Sequence, residues 1–253
     1  MPDAIPDALD RILREASASP PGSMLAVFDL DSTLFDLRAR IEHILVDFAH
    51  DPVQQGRYPA ACAALLGVRI ERRDWGLAEP LGRLGLKESE HAELFADLRS
   101  HWAERFFSND HLHRDMPLPG AGEFVRRLLG LGVDVLYLTG RDVERMLPGT
   151  IASLKACQFP LDGERARLRL KPVAGLDDAH FKADVLEREQ KTYGRIWFFE
   201  NEPVNLRVAR ERLPKIELVL IDTNHSGREQ PWPELATIPH FTVDLPAPQS
   251  PRK

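Results

Sequence analysis

Cysteine and long apolar stretches are both scarce in this sequence, and their scarcity limits the kind of protein it encodes. Only two cysteines, Cys62 and Cys157, occur among 253 residues, and their spacing matches neither a metal-binding nor a redox motif. This usage is typical of a reducing compartment with two buried thiols. No run reaches the roughly 18 apolar residues of a membrane-spanning helix, and no basic segment followed by an apolar one resembles a secretory signal. We therefore expect a cytoplasmic protein that does not engage a membrane.

Positive charge is also in short supply. The chain has 33 Lys and Arg residues against 39 Asp and Glu residues, a formal net charge of -6. Binding to nucleic-acid phosphates normally requires a basic excess, so the composition argues against nucleic acid as a partner. No loop of the form Gly-x4-Gly-Lys-Ser/Thr occurs, which excludes a kinase of that type. The hydrophobic content of 43% is ordinary for a globular protein and suffices for a sizeable core.

Short apolar runs alternate with segments of helical periodicity over most of the chain. The apolar runs predict strands buried on both faces, and the segments between them predict crossover helices. This alternation is typical of an α/β fold, here a Rossmann-like parallel sheet with helices on both faces. Strands are predicted at residues 24–28, 133–138, 167–170, 196–199 and 216–221, with an edge strand near 241–243. Helices are predicted at residues 8–16, 121–131, 143–157, 179–190 and 204–212.

Residues 36–114 differ from the rest, because they have helical periodicity and little strand character. A segment of this length is far longer than an ordinary connection between strands. We therefore predict an inserted helical domain at residues 36–114 and an α/β core made of residues 1–35 and 115–253. Helices of the insert are predicted at residues 37–49, 59–70, 77–84 and 88–107.

Two carboxylates follow the first predicted strand. Asp29 and Asp31 come directly after the apolar run, and Ser32 and Thr33 follow them. In an extended segment residues two apart point the same way, so both carboxyl groups can face one ligand. Ligands of open α/β sheets bind outside the carboxyl ends of the strands, where these residues lie. An acidic strand end followed by Ser-Thr is also compatible with a cap for the next helix.

Polar residues end other predicted strands as well. Thr139 closes the second strand beside Gly140, which allows close approach of a ligand to the main chain, and Glu200 ends the strand at 196–199. These polar strand ends could hold an anionic ligand, which needs positive charge beside it, and two lysines precede the Glu200 strand. Lys182 opens a helix and is favoured for this role, while Lys171, after a short strand, stays an alternative.

These motifs resemble those of the haloacid dehalogenase-like superfamily, whose phosphatases carry Asp-x-Asp-x-Thr after the first strand. Asp29, Asp31 and Thr33 match this motif, and Thr139 and Lys182 resemble the second and third motifs. The resemblance implies that Asp29 attacks phosphorus to form an aspartyl-phosphate. It also implies that Asp31 protonates the leaving oxygen and then deprotonates the hydrolytic water. The proximity of ionised Asp29 is expected to raise the proton affinity of Asp31.

The same resemblance implies a Mg2+ ion, which together with the lysine offsets the repulsion between a carboxylate nucleophile and a phosphate dianion. Its expected ligands are the carboxylates of Asp29 and Glu200 and the backbone carbonyl of Asp31. Glu200 stands where the superfamily usually has Asp, so the sequence departs from the pattern here. A second acid is either Glu202 or replaced by Asn205.

Substrate contacts are expected from Thr33, Gly140, Arg38 and Arg141. Within the superfamily, a helical insert between the first two motifs is a cap that closes over the site and selects the substrate. The resemblance thus implies that residues 36–114 are such a cap. The substrate itself is not identifiable, because its determinants lie in an insert that matches no motif.

The sequence therefore predicts a Mg2+-dependent phosphatase acting on a small phosphorylated metabolite, with an undetermined oligomeric state. A phosphotransferase or mutase shares every motif residue, and a dehalogenase shares the Asp29 nucleophile but typically lacks Asp31. A non-catalytic binding protein on a decayed scaffold is a further alternative. The histidine-rich run at 111–114 has poor spacing for a metal site and is interpreted as a solvated loop.

Overall fold

This computed structural model describes residues 8–243, so both ends of the predicted core, residues 1–7 and 244–253, lie outside the described residues. The strands are β1 Met24–Phe28, β2 Phe35–Asp36, β3 Met116–Pro117, β4 Asp134–Asp142, β5 Ala166–Lys171, β6 Arg195–Glu200, β7 Glu217–Ile221 and β8 Ala236–Ile238. Six of them form a sheet in the order β5-β4-β1-β6-β7-β8, with every pairing parallel. The predicted α/β class is confirmed.

Helices cover both faces of this sheet. They are α1 Ala8–Ala18, α2 Arg38–His50, α3 Pro52–Arg57, α4 Pro59–Leu65, α5 Ala78–Arg83, α6 Ala92–Phe106, α7 Ala121–Gly130, α8 Val143–Ala156, α9 Asp178–Glu189 and α10 Pro203–Arg212, with a short 3-10 helix at Leu112–Arg114. Asp177 caps α9 by accepting a hydrogen bond from the His180 N–H (3.0 Å), which fixes the start of the helix that carries Lys182.

The central strand β1 is buried along its whole length. Ala26 and Phe28 belong to the apolar cluster on one face, and Leu25 and Val27 to the cluster on the other. Successive strand residues point to opposite faces, so an uninterrupted apolar run is what a sheet covered on both sides requires. Phe28 also stacks on Phe199 of the neighbouring strand, with ring centroids 4.6 Å apart.

The insert has an apolar cluster of its own, formed by residues of α2, α4, α5 and α6 and the loops between them. At its root, β2 pairs antiparallel with β3, Phe35 opposite Pro117 and Asp36 opposite Met116. The sequence did not predict this pair, because two residues are too few to show a strand pattern. It also did not predict α3, and it extended α4 five residues too far.

The predicted edge strand at 241–243 is wrong. The six-stranded sheet ends instead with β8, which pairs with β7, and residues 241–243 belong to no strand. Phe241 is buried instead against Phe28 and Phe124 of the core. Its backbone lies so close to Gly120 that a Cβ there would be 2.5 Å from the Phe241 carbonyl carbon, and Gly120 has a φ of 77°. Core packing, rather than strand pairing, explains the apolar pattern.

Two smaller sequence expectations concern the thiols and the membrane. Cys62 is buried and Cys157 is only partly buried, and both are free. Within residues 8–243 no helix combines the length and the hydrophobicity needed to cross a membrane.

Candidate active site

The carboxyl ends of the three central strands open into one cavity. β4, β1 and β6 are adjacent and parallel, so the residues that follow them meet at one edge of the sheet. A cavity of about 890 Å³ lies there. Its floor includes Asp29 and Asp31 after β1, Thr139 and Gly140 of β4, Glu200 of β6, and Lys182 of α9. All the catalytic and metal-binding residues that the sequence predicts line this cavity.

Lys182 joins two of the carboxylates. Its Nζ donates hydrogen bonds to Asp29 Oδ1 (2.7 Å) and to Glu200 Oε2 (2.6 Å). All three side chains are buried. Burial lowers the pKa of Lys182, but the two carboxylates outweigh it and hold that pKa above its usual value. The ammonium is therefore a fixed positive charge beside the expected nucleophile.

Asp29 is less acidic than an ordinary aspartate. Burial and the neighbouring Glu200 carboxylate outweigh the attraction of Lys182 and raise the pKa of Asp29 to about 7. Its backbone N–H donates to the Phe199 carbonyl oxygen (3.0 Å), which fixes the turn out of β1. One lysine does not neutralise two buried carboxylates, so the site favours a further cation.

The oxygen atoms around Glu200 decide which residues can hold that cation. Glu200 Oε1 accepts from the backbone N–H groups of Asn201 (3.0 Å) and Glu202 (3.1 Å). The Glu202 carboxylate is held by Ser226, through its N–H (2.8 Å) and its hydroxyl (2.8 Å). Asn205 Oδ1 is buried without a hydrogen-bond partner, and Asn205 lines the cavity. Of the two alternatives left by the sequence, the geometry favours Asn205.

Asp31 has the opposite environment to Asp29. Its Oδ1 accepts hydrogen bonds from Arg141 Nη2 (2.5 Å) and Arg40 Nη2 (3.1 Å). Burial alone raises the pKa of Asp31, but the two guanidinium groups outweigh it and lower that pKa to about 2. The expectation that Asp29 raises the proton affinity of Asp31 is therefore wrong, because the arginines are the stronger influence.

A second buried carboxylate completes this arginine cluster. Arg141 Nη2 donates to Asp115 Oδ2 (2.7 Å), and Arg40 Nε lies 3.0 Å from Asp115 Oδ1. Burial raises the pKa of Asp115 to about 6. The Arg40 guanidinium also lies 4.1 Å from the Phe106 ring centroid. The sequence analysis missed Arg40 and Asp115, because a charged residue in a helix or loop is normally solvated and nothing near them forms a motif.

Two of the predicted substrate contacts do not reach the cavity. Thr33 is buried and donates to Asn201 Oδ1 (3.3 Å), so it links the ends of β1 and β6 without lining the cavity. Arg38 is half-exposed and binds Asp36. Arg141 does line the cavity, although its guanidinium is occupied by two aspartates.

Lys171 lines the cavity but does not approach Asp29. Its Nζ donates to the carbonyl oxygens of Ala174 (3.2 Å) and Leu176 (3.1 Å) and to Asp178 Oδ1 (2.6 Å). A Cβ at Gly140 would lie 2.3 Å from Asp178 Oδ2, so a larger residue there has to displace this carboxylate. Lys171 thus fastens the loop before α9, and Lys182 occupies the position that the sequence analysis favoured.

Residues of the insert form a further wall of the cavity, and four of them are aromatic. Trp102 and Phe106 stack with ring centroids 4.4 Å apart, and Trp102 Nε1 is buried without a hydrogen-bond partner. The aromatic residues are Trp75, Trp102, Phe106 and Phe107. Three arginines also line the cavity: Arg99, Arg145 and Arg228.

Comparisons with known proteins find similarity in structure. No family model matches the chain, and no curated protein matches it in sequence. A haloacid dehalogenase-like family hydrolase from Streptococcus pneumoniae is 13% identical, with 81% of this chain and 88% of that chain covered and a TM-score of 0.45. CbbY from Rhodobacter sphaeroides, in complex with phosphate, is 15% identical, with 87% and 94% covered and a TM-score of 0.48.

L-2-haloacid dehalogenase from Xanthobacter autotrophicus, with chloropropionic acid covalently bound, is a third similar structure. It is 18% identical, with 78% of this chain and 76% of that chain covered and a TM-score of 0.41. At these identities nothing about substrate or reaction passes from those proteins to this chain.

Proposed function

We propose that the protein is a haloacid dehalogenase-like phosphatase that hydrolyses phosphomonoesters with the help of Mg2+. One observation carries this proposal: a buried lysine bridges Asp29 and Glu200 at the carboxyl ends of adjacent parallel strands. A carboxylate can attack a phosphate dianion only where fixed positive charge offsets their repulsion. This arrangement supplies such a charge within hydrogen-bond distance of Asp29.

The proposed reaction has two steps. An Asp29 oxygen attacks phosphorus, the bond between phosphorus and the alcohol oxygen breaks, and that oxygen takes a proton from Asp31. Asp31 then takes a proton from a water molecule, whose oxygen attacks phosphorus and releases inorganic phosphate and the Asp29 carboxylate. Covalent catalysis of this kind divides one difficult displacement into two easier ones.

Asp31 has to be protonated when the alcohol leaves, whereas its contacts with Arg40 and Arg141 favour the ionised form. A substrate phosphate in the cavity brings negative charge close to Asp31 and competes for Arg141. Both effects raise the pKa of Asp31 toward that of a proton donor. In this proposal the two arginines set the acidity of Asp31 according to whether substrate is bound.

The residues present fit a Mg2+ ion, because Asn205 Oδ1 has no hydrogen-bond partner and Asp29 Oδ2 is not the oxygen bound by Lys182. Glu200 would share oxygens that also accept hydrogen bonds from Lys182 and from two backbone N–H groups. When bound, this ion would neutralise phosphate charge in the first step. The backbone carbonyl of Asp31 is a further proposed ligand, since both of its carboxylate oxygens accept from Arg141. Lys182 holds the Asp29 and Glu200 side chains in place through its two hydrogen bonds.

The substrate is proposed to be a phosphorylated metabolite with a sizeable apolar or aromatic part. A cavity of about 890 Å³ is near the upper end of the range for small-molecule sites. The wall formed by the insert holds four aromatic rings. Because that wall belongs to residues 36–114, we propose that the insert is a cap that selects the substrate.

The decisive experiment measures phosphate release from a panel of phosphomonoesters with Mg2+ and with EDTA. We expect turnover with Mg2+ and a loss of about a thousandfold or more in Asp29→Asn, which lacks the nucleophile. Asp36→Asn is the matched control, since Asp36 is a nearby carboxylate that binds only Arg38. Activity that survives in Asp29→Asn rejects the proposed nucleophile. Halide release from a 2-haloacid identifies a dehalogenase, and transfer to an added alcohol identifies a phosphotransferase.

A further inference from the structure

Three side chains of metal-binding type converge away from the Asp29 cavity. His43 and Asp47 lie one turn apart on α2, and His111 precedes the 3-10 helix at Leu112–Arg114. One potential ligand atom from each of the three lies within 4.8 Å of the others. None of the three is among the described residues that line the cavity. The sequence alone did not indicate this cluster, because His111 is distant in the chain from His43 and Asp47.

The distances within this cluster suit an ion better than direct hydrogen bonds. Asp47 Oδ2 lies 3.5 Å from His43 Nε2 and 4.0 Å from His111 Nε2. Hydrogen bonds of this type are normally about 2.7–3.2 Å long. Two ligand atoms of a tetrahedral zinc ion, each bonded at about 2.0–2.1 Å, lie roughly 3.3 Å apart. Small side-chain rotations therefore bring these atoms to ligand positions.

The state of the histidines also suits metal binding. His111 Nδ1 is buried and has no hydrogen-bond partner, so a polar atom of this ring is unsatisfied. Burial lowers the pKa of His43 and of His111, which favours the neutral imidazole. His43 and Asp47 are each about a third exposed, which leaves a path for an ion from solvent.

The cluster joins the same two chain segments that meet at the arginine cluster. Arg40 is three residues before His43 on α2, and Asp115 is four residues after His111. Arg40 Nε and Asp115 Oδ1 lie 3.0 Å apart, and the His43 and His111 ring centroids lie 5.4 Å apart. An ion bound to the histidines would thus hold α2 to the segment through which the chain returns to the core.

We propose that His43, Asp47 and His111 bind a zinc-type divalent transition-metal ion, with water as the fourth ligand. Two imidazoles and one carboxylate are ligands that such ions take readily, whereas Mg2+ prefers oxygen ligands only. The ion fastens α2 to the segment that leads back to the core and so restricts motion of α2, which carries Arg40, relative to Asp31. This role is separate from the proposed chemistry at Asp29.

The test uses the full-length protein after removal of metals with EDTA. ZnCl2 is titrated by calorimetry, and the melting temperature is measured with and without zinc. We expect one zinc per chain at this cluster, undiminished by excess Mg2+, and a rise in melting temperature of roughly 5 °C at saturation. His111→Ala and His43→Asn should each lose this site and the rise. His113→Ala is the matched control from the same run and should keep both.

Zinc binding at Asp29 and Glu200 is distinguished by repeating the titration in Asp29→Asn, where the histidine-dependent site should persist. Two histidine variants are used so that the test still holds if one of them fails to fold. Their melting temperatures without metal show whether each is folded. Equal zinc affinity and equal thermal shift in wild type, His43→Asn and His111→Ala overturn the proposal.

Discussion

Asp29 and Asp31 are two residues apart on the same strand end, yet the charged groups around them differ. Asp29 shares one lysine with a second buried carboxylate, and its pKa rises to about 7. Asp31 shares two arginines with Asp115, and its pKa falls to about 2. Asp31 accepts hydrogen bonds from two arginines and is partly exposed, whereas Asp29 is buried and has one lysine, which it shares with Glu200.

The origin of these partners differs as well. Lys182 and Glu200 belong to the α/β core, whereas Arg40 belongs to the first helix of the insert. The core alone thus determines the charge around Asp29, while the acidity of Asp31 depends on where α2 lies. A close pair of carboxylates can therefore be controlled by two separate parts of a chain.

Removing Lys182 should have the largest effect, because it takes away the cation beside Asp29. Lys182→Met leaves two adjacent buried carboxylates without a cation, which we expect to cost about 3–5 kcal/mol of unfolding free energy. Phosphatase activity should also fall by about a hundredfold to a thousandfold. Lys171→Met is the matched control, because Lys171 binds only loop acceptors and Asp178. Urea denaturation and phosphate release measure both, and equal losses in the two variants contradict the assignment of Lys182.

Removing Arg40 should lower stability by a smaller amount, because Asp31 keeps Arg141 as a partner. Arg40→Met leaves Asp31 and Asp115 with Arg141 alone, and we expect a loss of about 2–3 kcal/mol in unfolding free energy. Arg38→Met on the same helix is the control and should change stability by no more than about 0.5 kcal/mol, since Arg38 is exposed. Arg40→Met should also shift the pH profile of phosphate release through a raised pKa of Asp31, and an unchanged profile counts against this link.

The pH dependence of stability is a third way to sharpen the comparison. For metal-free protein, folded Asp29 keeps a proton between pH 4 and about pH 7 that unfolded Asp29 has lost, since its pKa rises from 3.8 to about 7. The unfolding free energy should therefore fall as pH rises through this range. Asp115, with a pKa of about 6, adds a slope of the same sign.

Asp31 should change the unfolding free energy in the opposite direction and in a lower pH range. Its folded pKa of about 2 lies below the ordinary value of 3.8, so the stability it contributes is lost as pH falls from about 4 to 2. Urea titrations at a series of pH values should show Asp29→Asn flattening the upper range and Asp31→Asn flattening the lower one. The reverse pattern would show that the two environments were assigned to the wrong residues.

Much of the fold was predictable because its signals are local. β1 has the predicted bounds, and β6 and β7 differ from prediction by one residue at the ends, since a buried strand needs a continuous apolar run. The edge strand β8 was misplaced, because an edge strand pairs on one side only and has a weaker pattern. The β2–β3 pair depends on contacts across the insert, which no local pattern reveals.

The candidate site divides in the same way. Asp29, Thr139 and Glu200 were identifiable because each follows an apolar run, and the end of a parallel strand is a known position in space. Lys182 was favoured from its place at a helix start. Arg40 and Asp115 were not predictable, because their contacts form only when α2 packs on the core. The same reason explains the error about the acidity of Asp31. The contact between His43 and His111 forms only when two distant parts of the insert pack together.

The antiparallel pair at the root of the insert has a consequence for how the chain tolerates change. Phe35 lies opposite Pro117, so the excursion of the insert begins and ends at neighbouring points. Closing a longer or shorter loop between fixed neighbours changes the entropy only with the logarithm of its length. Lengthening, shortening or exchanging the excursion should therefore leave the register of the six parallel strands untouched.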